Sequence, residues 1–213
     1  MMALKSHLNP DPILLDVADE KGFLSPQEIF ARSGPLELEI GSGKGAFLMQ
    51  MAVAFPDRNF IGIEWANAYA RYAADRFRRH GFQNVRMVHG EAIWWIRIHI
   101  ADNTLDAMHV YFPDPWPKTR HHKRRLIQQP FLQQALRVLK PLAHLNIVTD
   151  HAEYFAHIRL TLAEFGHFSL EPFESPLRSV GRNFMVGTNF EKKYAAQNRP
   201  FYSVTAVKPG GMQ

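Results

Sequence analysis

The sequence predicts an α/β protein built on a mostly parallel, twisted sheet with helices on both faces. Three observations predict it. Strand-like and helix-like runs alternate from Leu36 onward, the pattern of parallel strands joined by helical crossovers. A glycine-rich turn, Gly41-Ser42-Gly43-Lys44-Gly45, joins the first of these strands to its helix. Acidic residues stand at or just beyond the ends of the first three runs (Glu39, Glu64 and Glu91), on the edge where open sheets of this kind take their ligands.

In chain order, residues 1–35 read as an irregular N-terminal extension with one short helix. Ser25-Pro26-Gln27-Glu28 starts that helix, with a serine cap, proline first and glutamate third. Gly34-Pro35 stops it. Residues 36–213 read as a single domain. Its strands are expected at Leu36–Ile40, Asn59–Glu64, Val85–His89, Asp106–Phe112 and Leu145–Thr149. Its helices are expected at Ala46–Ala54, Ala66–His80, Ala92–Ile98, Pro130–Leu139 and about His151–Phe165. In Ala66–His80, Tyr69, Tyr72, Ala73, Arg76 and Phe77 recur at helical spacing, and Gly81 follows where a helix-ending glycine belongs. Pro130 suits a first helical position, and Lys140-Pro141 closes that helix.

Composition narrows the function classes. The 213 residues suit one domain of the usual roughly 150-residue scale with an appendage. The absence of cysteine excludes a disulfide scaffold, a thiolate metal site and a cysteine nucleophile. The longest apolar stretch, Gly45 to Phe55, is broken by Gln50, far short of the roughly 18 residues a membrane span needs. The opening MMALKSHLNPDPILLD makes a poor signal peptide. A cytoplasmic protein without membrane or metal is expected. Oligomeric state stays open between monomer and homodimer. Lys plus Arg number 25 against 20 Asp plus Glu, and the five bases of Lys118–Arg125 (KTRHHKRR) account for the whole excess. So local a patch suggests a polyanionic partner, although a basic run can also be only a solvated face. Adjacent His121 and His122 do not converge on a metal ion without other ligands.

The glycine turn reads G-x-G-x-G. It is neither the dinucleotide G-x-G-x-x-G nor a phosphate-binding P-loop, since Leu38 lies five before Gly43 and Gly45 follows Lys44. Glu64, 19 residues after Gly45, is placed to bind ribose hydroxyls. Glu39 lies just before the turn, where a carboxylate repels a pyrophosphate and welcomes a cation. S-adenosyl-L-methionine carries a sulfonium and an ammonium and no phosphate. The electrostatics therefore favour it over NAD or FAD.

The fourth strand runs into Tyr111-Phe112-Pro113-Asp114-Pro115-Trp116-Pro117-Lys118. Three alternating prolines stiffen this loop and are expected to hold Phe112, Asp114 and Trp116 extended. One carboxylate and one large aromatic are thereby presented at the ligand edge. The basic run follows at once, as lysines and arginines suited to phosphate contacts.

Together, ELEIGSGKG, FIGIEWA, YFPDPWPKTRHHKRR and the later Thr188-Asn189-Phe190-Glu191 resemble the bacterial tRNA (guanine-N7)-methyltransferases, from about Leu36 to Glu191. The resemblance implies a Rossmann-like class I methyltransferase fold, methylation of N7 of a variable-loop guanine in tRNA, and S-adenosyl-L-methionine as methyl donor. It implies cofactor binding by Glu39, Gly41, Gly43, Gly45, Glu64, Glu91 and Asp114, with Asp114 also catalytic. Glu91 stands where many members carry Asp or Asn. It further implies substrate binding by Lys118, Asp150, Thr188, Asn189, Phe190 and Glu191, and RNA contact by Arg120, His121, His122, Lys123, Arg124 and Arg125. Asp114 could face either guanine or the cofactor's amino group, and Asp150 could also cap the helix that follows it. The rival readings are a class I methyltransferase with another acceptor, an inert RNA-binding subunit of the same fold, and, more distantly, an NAD oxidoreductase. Trp94 and Trp95 are expected to pack against the sheet, and the tail after Glu191 carries no recognised motif.

Overall fold

The computed structural model describes residues 12–15, 22–178 and 185–210. The chain forms two compact units, Met1–Ala101 and Asp102–Gln213.

The first unit contains β1 (Leu14–Leu15), α1 (Pro26–Phe30), β2 (Leu36–Ile40), α2 (Ala46–Ala54), β3 (Asn59–Glu64), α3 (Asn67–Arg79), β4 (Val85–His89) and α4 (Ala92–His99). Its strands lie in the order β1-β4-β3-β2, and every pair is parallel. Leu38 sits opposite Ile61, and Ile61 opposite Arg86. β2 is buried along its whole length, and β3 along all but its last residue. That is why both read as near-continuous apolar runs. The expected bounds of β2, β3, β4 and α2 match the observed ones. β1 is a correction to the irregular extension: Leu14 and Leu15 pair with Met87 and Val88. Two residues are too few to leave a periodic signal. α1 forms its full capping box, with the Glu28 N–H donating to Ser25 Oγ at 3.2 Å and the Ser25 N–H to Glu28 Oε2 at 2.8 Å. α3 buries Ala70, Ala73, Ala74 and Phe77, while Arg78 and Arg79 pair with Asp75. Each large apolar side chain removed from water in this layer, such as Phe47, Phe60 or Phe77, contributes about 1.5–3 kcal/mol.

The second unit contains β5 (Leu105–Tyr111), a 3-10 helix (Thr119–Arg124), α5 (Gln129–Val138), β6 (Leu139–Thr149), α6 (Ala152–Phe165), β7 (Ser169–Glu171), α7 (Asn189–Ala195) and β8 (Tyr202–Val207). The strand order is β5-β6-β8-β7, with β5 and β6 parallel and β8 antiparallel to both β6 and β7. β6 begins six residues before the expected Leu145. Its register against β5 jumps from Leu105↔Leu139 to Ala107↔His144. The skipped stretch holds Pro141, which cannot donate to a ladder, and Leu142 at φ 65°. The tail after Glu191 supplies the rest of α7 and all of β8, and β8 completes the far side of β6. Among the described residues, no helix is long and apolar enough to cross a membrane.

Candidate functional site

The glycine turn of the first unit bridges β2 and α2. The N–H groups of Gly41 and Ser42 donate to the Ile63 carbonyl at 2.8 and 3.2 Å. Gly41 and Gly43 adopt φ of 78° and 54°, the left-handed region that side chains disfavour. A Cβ built on either meets no atom within 4 Å, so the turn lines open space. Gly45 is different, since a Cβ there would strike the Phe77 ring.

Glu64 closes β3 and fastens the turn. Its Oε2 accepts the Gly43 N–H at 2.7 Å and its Oε1 the Ala66 N–H at 2.8 Å. Each carboxylate oxygen keeps a further lone pair for a hydroxyl. Glu39 is buried, and its Oε2 has no hydrogen-bond partner among the described residues. Burial pushes its carboxyl up to about 8; the Ser42 hydroxyl opposes this and the Glu64 charge adds to it. A buried carboxyl with an unpartnered oxygen is able to accept a hydrogen bond from, or pair with, a cationic group. Glu91 is exposed and caps α4, accepting the N–H groups of Ile93 at 3.0 Å and Trp94 at 2.7 Å. Trp95 is buried and packs on His99 with ring centroids 5.2 Å apart. Trp65 was not singled out from sequence. It follows Glu64 directly and is 71% exposed, an unusual place for so large an apolar ring. An aromatic immediately after a strand-tip acid is the signal that would have found it.

In the second unit, the proline loop leaves β5 with Phe112 and Trp116 at φ of 52° and 43°. This corrects the expected extended conformation at both. For bulky residues the left-handed region is strained, and it persists only where neighbours over-determine it. Phe112 donates its N–H to the Val148 carbonyl at 2.7 Å. Its ring packs against Phe190, Tyr194 and Phe201, at centroid distances of 6.3, 5.9 and 5.4 Å. Trp116 is held edge-on by His121 at 5.8 Å and covered by the Arg124 guanidinium at 5.0 Å. Asp114 lies between these two fixed points and is exposed.

The basic run folds as the 3-10 helix and divides. Lys118, Arg120, Lys123 and Arg124 are exposed, and His121 and His122 are half-buried. Arg125 is a correction: its side chain is wholly buried, so it does not reach a phosphate. Its Nε donates to the Pro115 carbonyl at 2.9 Å, and Nη1 and Nη2 grip Glu153 at 3.1 and 2.6 Å. Its guanidinium lies 4.9 Å from the Tyr154 ring centroid. Arg125 therefore fixes the Asp114 loop from beneath.

Thr188 caps α7, its Oγ1 accepting the Glu191 N–H at 3.0 Å. Asn189 and Phe190 are exposed. Glu191 turns inward. Its carboxylate accepts the N–H groups of Met185, Val186 and Gly187 at 2.5, 2.8 and 2.6 Å. This corrects the expectation of a carboxylate presented to substrate. Asp150 follows β6 directly and pairs with Arg199. The cap of α6 that Asp150 could have supplied comes instead from His151, whose Nδ1 accepts the Tyr154 N–H at 3.2 Å.

Known proteins resemble this arrangement along nearly the whole chain. The family described as "Putative methyltransferase" matches residues 33–204. The tRNA (guanine-N(7)-)-methyltransferase of Geobacillus kaustophilus is 34% identical over 183 residues, covering 86% of this chain and 83% of that protein. Its namesake from Limosilactobacillus fermentum is 35% identical over 205 residues, covering 94% and 92%. The chain belongs to the tRNA (guanine-N7)-methyltransferase family. Its fold matches a SAM-dependent methyltransferase from Aquifex aeolicus, with TM-score 0.56, 20% identity and coverage of 83% and 84%. It also matches an antibiotic-related methyltransferase, with TM-score 0.59, 17% identity and coverage of 89% and 97%. The expected Rossmann-like class I methyltransferase fold is the one observed.

Within this methyltransferase, the first unit brings together Glu39, Gly41, Gly43, Gly45 and Glu64, while Glu91 stands at a helix cap. The second unit gathers Asp114, Lys118 and the exposed bases on one continuous segment. Arg199 joins Asp150 to α7 and was missed from sequence, because the tail that carries it has no motif.

Proposed function

We propose that the protein transfers a methyl group from S-adenosyl-L-methionine to N7 of the variable-loop guanine of tRNA, in the cytoplasm. Residues 36–213 act as one methyltransferase domain and residues 1–35 as its extension, in keeping with the span of the family match. The observation that carries this reading is the near-full-length similarity to proteins named for that activity. The donor set fits the cofactor: a buried acceptor without a partner at Glu39 suits a cationic amino group. The open glycine cradle admits close backbone approach, and Glu64 offers lone pairs to ribose hydroxyls. Trp65 offers a ring face to a base. Glu91, Lys118 and Thr188–Phe190 line the ligand edges of their units, and Arg120, Lys123 and Arg124 meet tRNA phosphates.

S-adenosyl-L-methionine supplies an electrophilic methyl group when bound. Guanine N7 carries a lone pair and no proton at neutral pH, so this chain needs no general base to unmask it. Alignment is then the main catalytic contribution, worth about 7–11 kcal/mol when attack geometry is nearly met. As the new bond forms, the purine becomes cationic. Asp114 accepts hydrogen bonds from guanine N1–H and N2–H₂ and stabilises that charge. The two clamped aromatics and Arg125 keep its loop in place. The exposed bases offset the cost of a few kcal/mol of drawing a stacked base out of the tRNA core.

The test uses purified protein, labelled S-adenosyl-L-methionine and an unmodified tRNA transcript, followed by digestion to nucleosides. Label should appear in 7-methylguanosine and vanish when the variable-loop guanine is replaced. Label in another nucleoside would overturn the acceptor assignment.

A further inference from the structure

We infer that Arg199 is a positioning residue for the acceptor base, acting through Asp150. The inference rests on the proposed function, with Asp150 as the substrate-binding residue that the family resemblance implies. Arg199 Nη1 donates to Asp150 Oδ2 at 2.8 Å. The Asp150 side chain is only 15% exposed while that of Arg199 is 49% exposed, so the pair is more than a solvated surface contact. Two further contacts fix the arginine. Its guanidinium lies 4.5 Å from the Tyr194 ring centroid, and its backbone N–H donates to the Tyr194 carbonyl at 3.1 Å. Tyr194 in turn packs on Phe112 and Phe190, both at 5.9 Å. The cation thus stands on the aromatic cluster that holds the start of the Asp114 loop.

This geometry defines a role. Asp150 follows β6 directly, at the carboxyl end where the sheet meets ligand. One of its oxygens is held by Arg199, which fixes the carboxylate plane. The remaining lone pairs are then aimed and available to N–H donors, and a guanine whose N1–H and one N2–H meet Asp114 still presents its second N2–H. A lysine at this position would keep the charge but lose the planar fork and the ring stacking.

Steady-state methylation of a tRNA transcript tests this with Arg199→Ala, Arg199→Lys, Asp150→Asn and the Arg199→Ala/Asp150→Asn double variant. Arg199→Ala should raise KM for tRNA about tenfold or more, the scale of one charge-assisted hydrogen bond, with kcat much less affected. Arg199→Lys should fall between Arg199→Ala and wild type. The double variant should be no worse than Asp150→Asn alone, because the arginine acts through that carboxylate. Affinity for S-adenosyl-L-methionine and the thermal midpoint should stay near wild type in Arg199→Lys, which separates positioning from folding. Multiplying penalties in the double variant, or a KM within about twofold of wild type in Arg199→Ala, would overturn the inference. Those outcomes leave wild-type methylation intact. Absence of 7-methylguanosine with the wild-type protein would instead overturn the proposed function, and this inference with it.

Discussion

The ligand-facing edges of the two units are built in different ways. In the first, backbone does the work: Gly43 at positive φ turns its N–H toward Glu64, and one buried carboxyl, Glu39, keeps an oxygen without a partner among the described residues. In the second, side chains do it. Aromatic rings and cations hold Phe112 and Trp116 in strained conformations on either side of an exposed Asp114. The first edge is a preformed cradle suited to one small cation. The second is a rigid presenting surface suited to a large anion that arrives from solution. On the proposed function, one fold would serve two ligands of opposite charge by using backbone for one and side chains for the other.

The largest expected effect lies on the second edge. Asp114→Asn should lower kcat by about 10²–10³, the loss typical of removing one aimed electrostatic contact in a transition state. Single-turnover kinetics on tRNA will measure it, and an unchanged kcat and KM would make the two edges less distinct than described. Next comes Glu39→Gln on the first edge. Affinity for S-adenosyl-L-methionine should fall by about tenfold or more, read by isothermal titration. In the cofactor-free wild type the folded carboxyl titrates at about 8, against 4.5 for an ordinary one. The folded state therefore holds a proton that the unfolded state releases, and the contribution of Glu39 to stability declines as pH rises from 4.5 to 8. Compared with Glu39→Gln, the wild type should lose stability across that window and then level off. Its cofactor affinity should rise over the same range, while that of the variant stays flat.

Two smaller effects divide the basic run. Arg125→Gln should cost about 2 kcal/mol of stability, through lost charge-assisted bonds, and leave the salt dependence of tRNA binding unchanged. Neutralising Arg120, Lys123 or Arg124 singly should do the reverse. Stability should hold, apart from the lost stacking on Trp116 in the Arg124 variant, and the slope of log affinity against log salt should fall by about 1 for each phosphate contact removed. Filter binding across a salt series, with thermal melts alongside, distinguishes the two behaviours; equal slopes for all four variants would contradict the division.

The same contrast governs what could be read in advance. Strands β2, β3 and β4 were legible to the residue because buried parallel strands write themselves as apolar runs between turns. The glycine turn and its acids were legible because backbone conformation demands particular residue types. Arg125 was not, because in sequence a buried guanidinium looks the same as its exposed neighbours. The left-handed conformations of Phe112 and Trp116 escaped too: proline biases the residue before it toward extended backbone, and packing by Phe190, Tyr194, Phe201 and Arg124 overrides that bias. β1 was too short to show a period. β8 pairs antiparallel without a helical crossover to announce it.

Glu191 carries a consequence for how variants of this protein behave in living cells. Three backbone N–H groups converge on its carboxylate, so Glu191→Ala would leave three donors without their acceptor at once. The damage would register as shortened half-life and low abundance under proteolysis rather than as slow turnover per molecule. A growth-based survey would therefore rank Glu191 beside Asp114 in importance, although on the proposed function one residue would maintain the supply of enzyme and the other would set the rate of each copy.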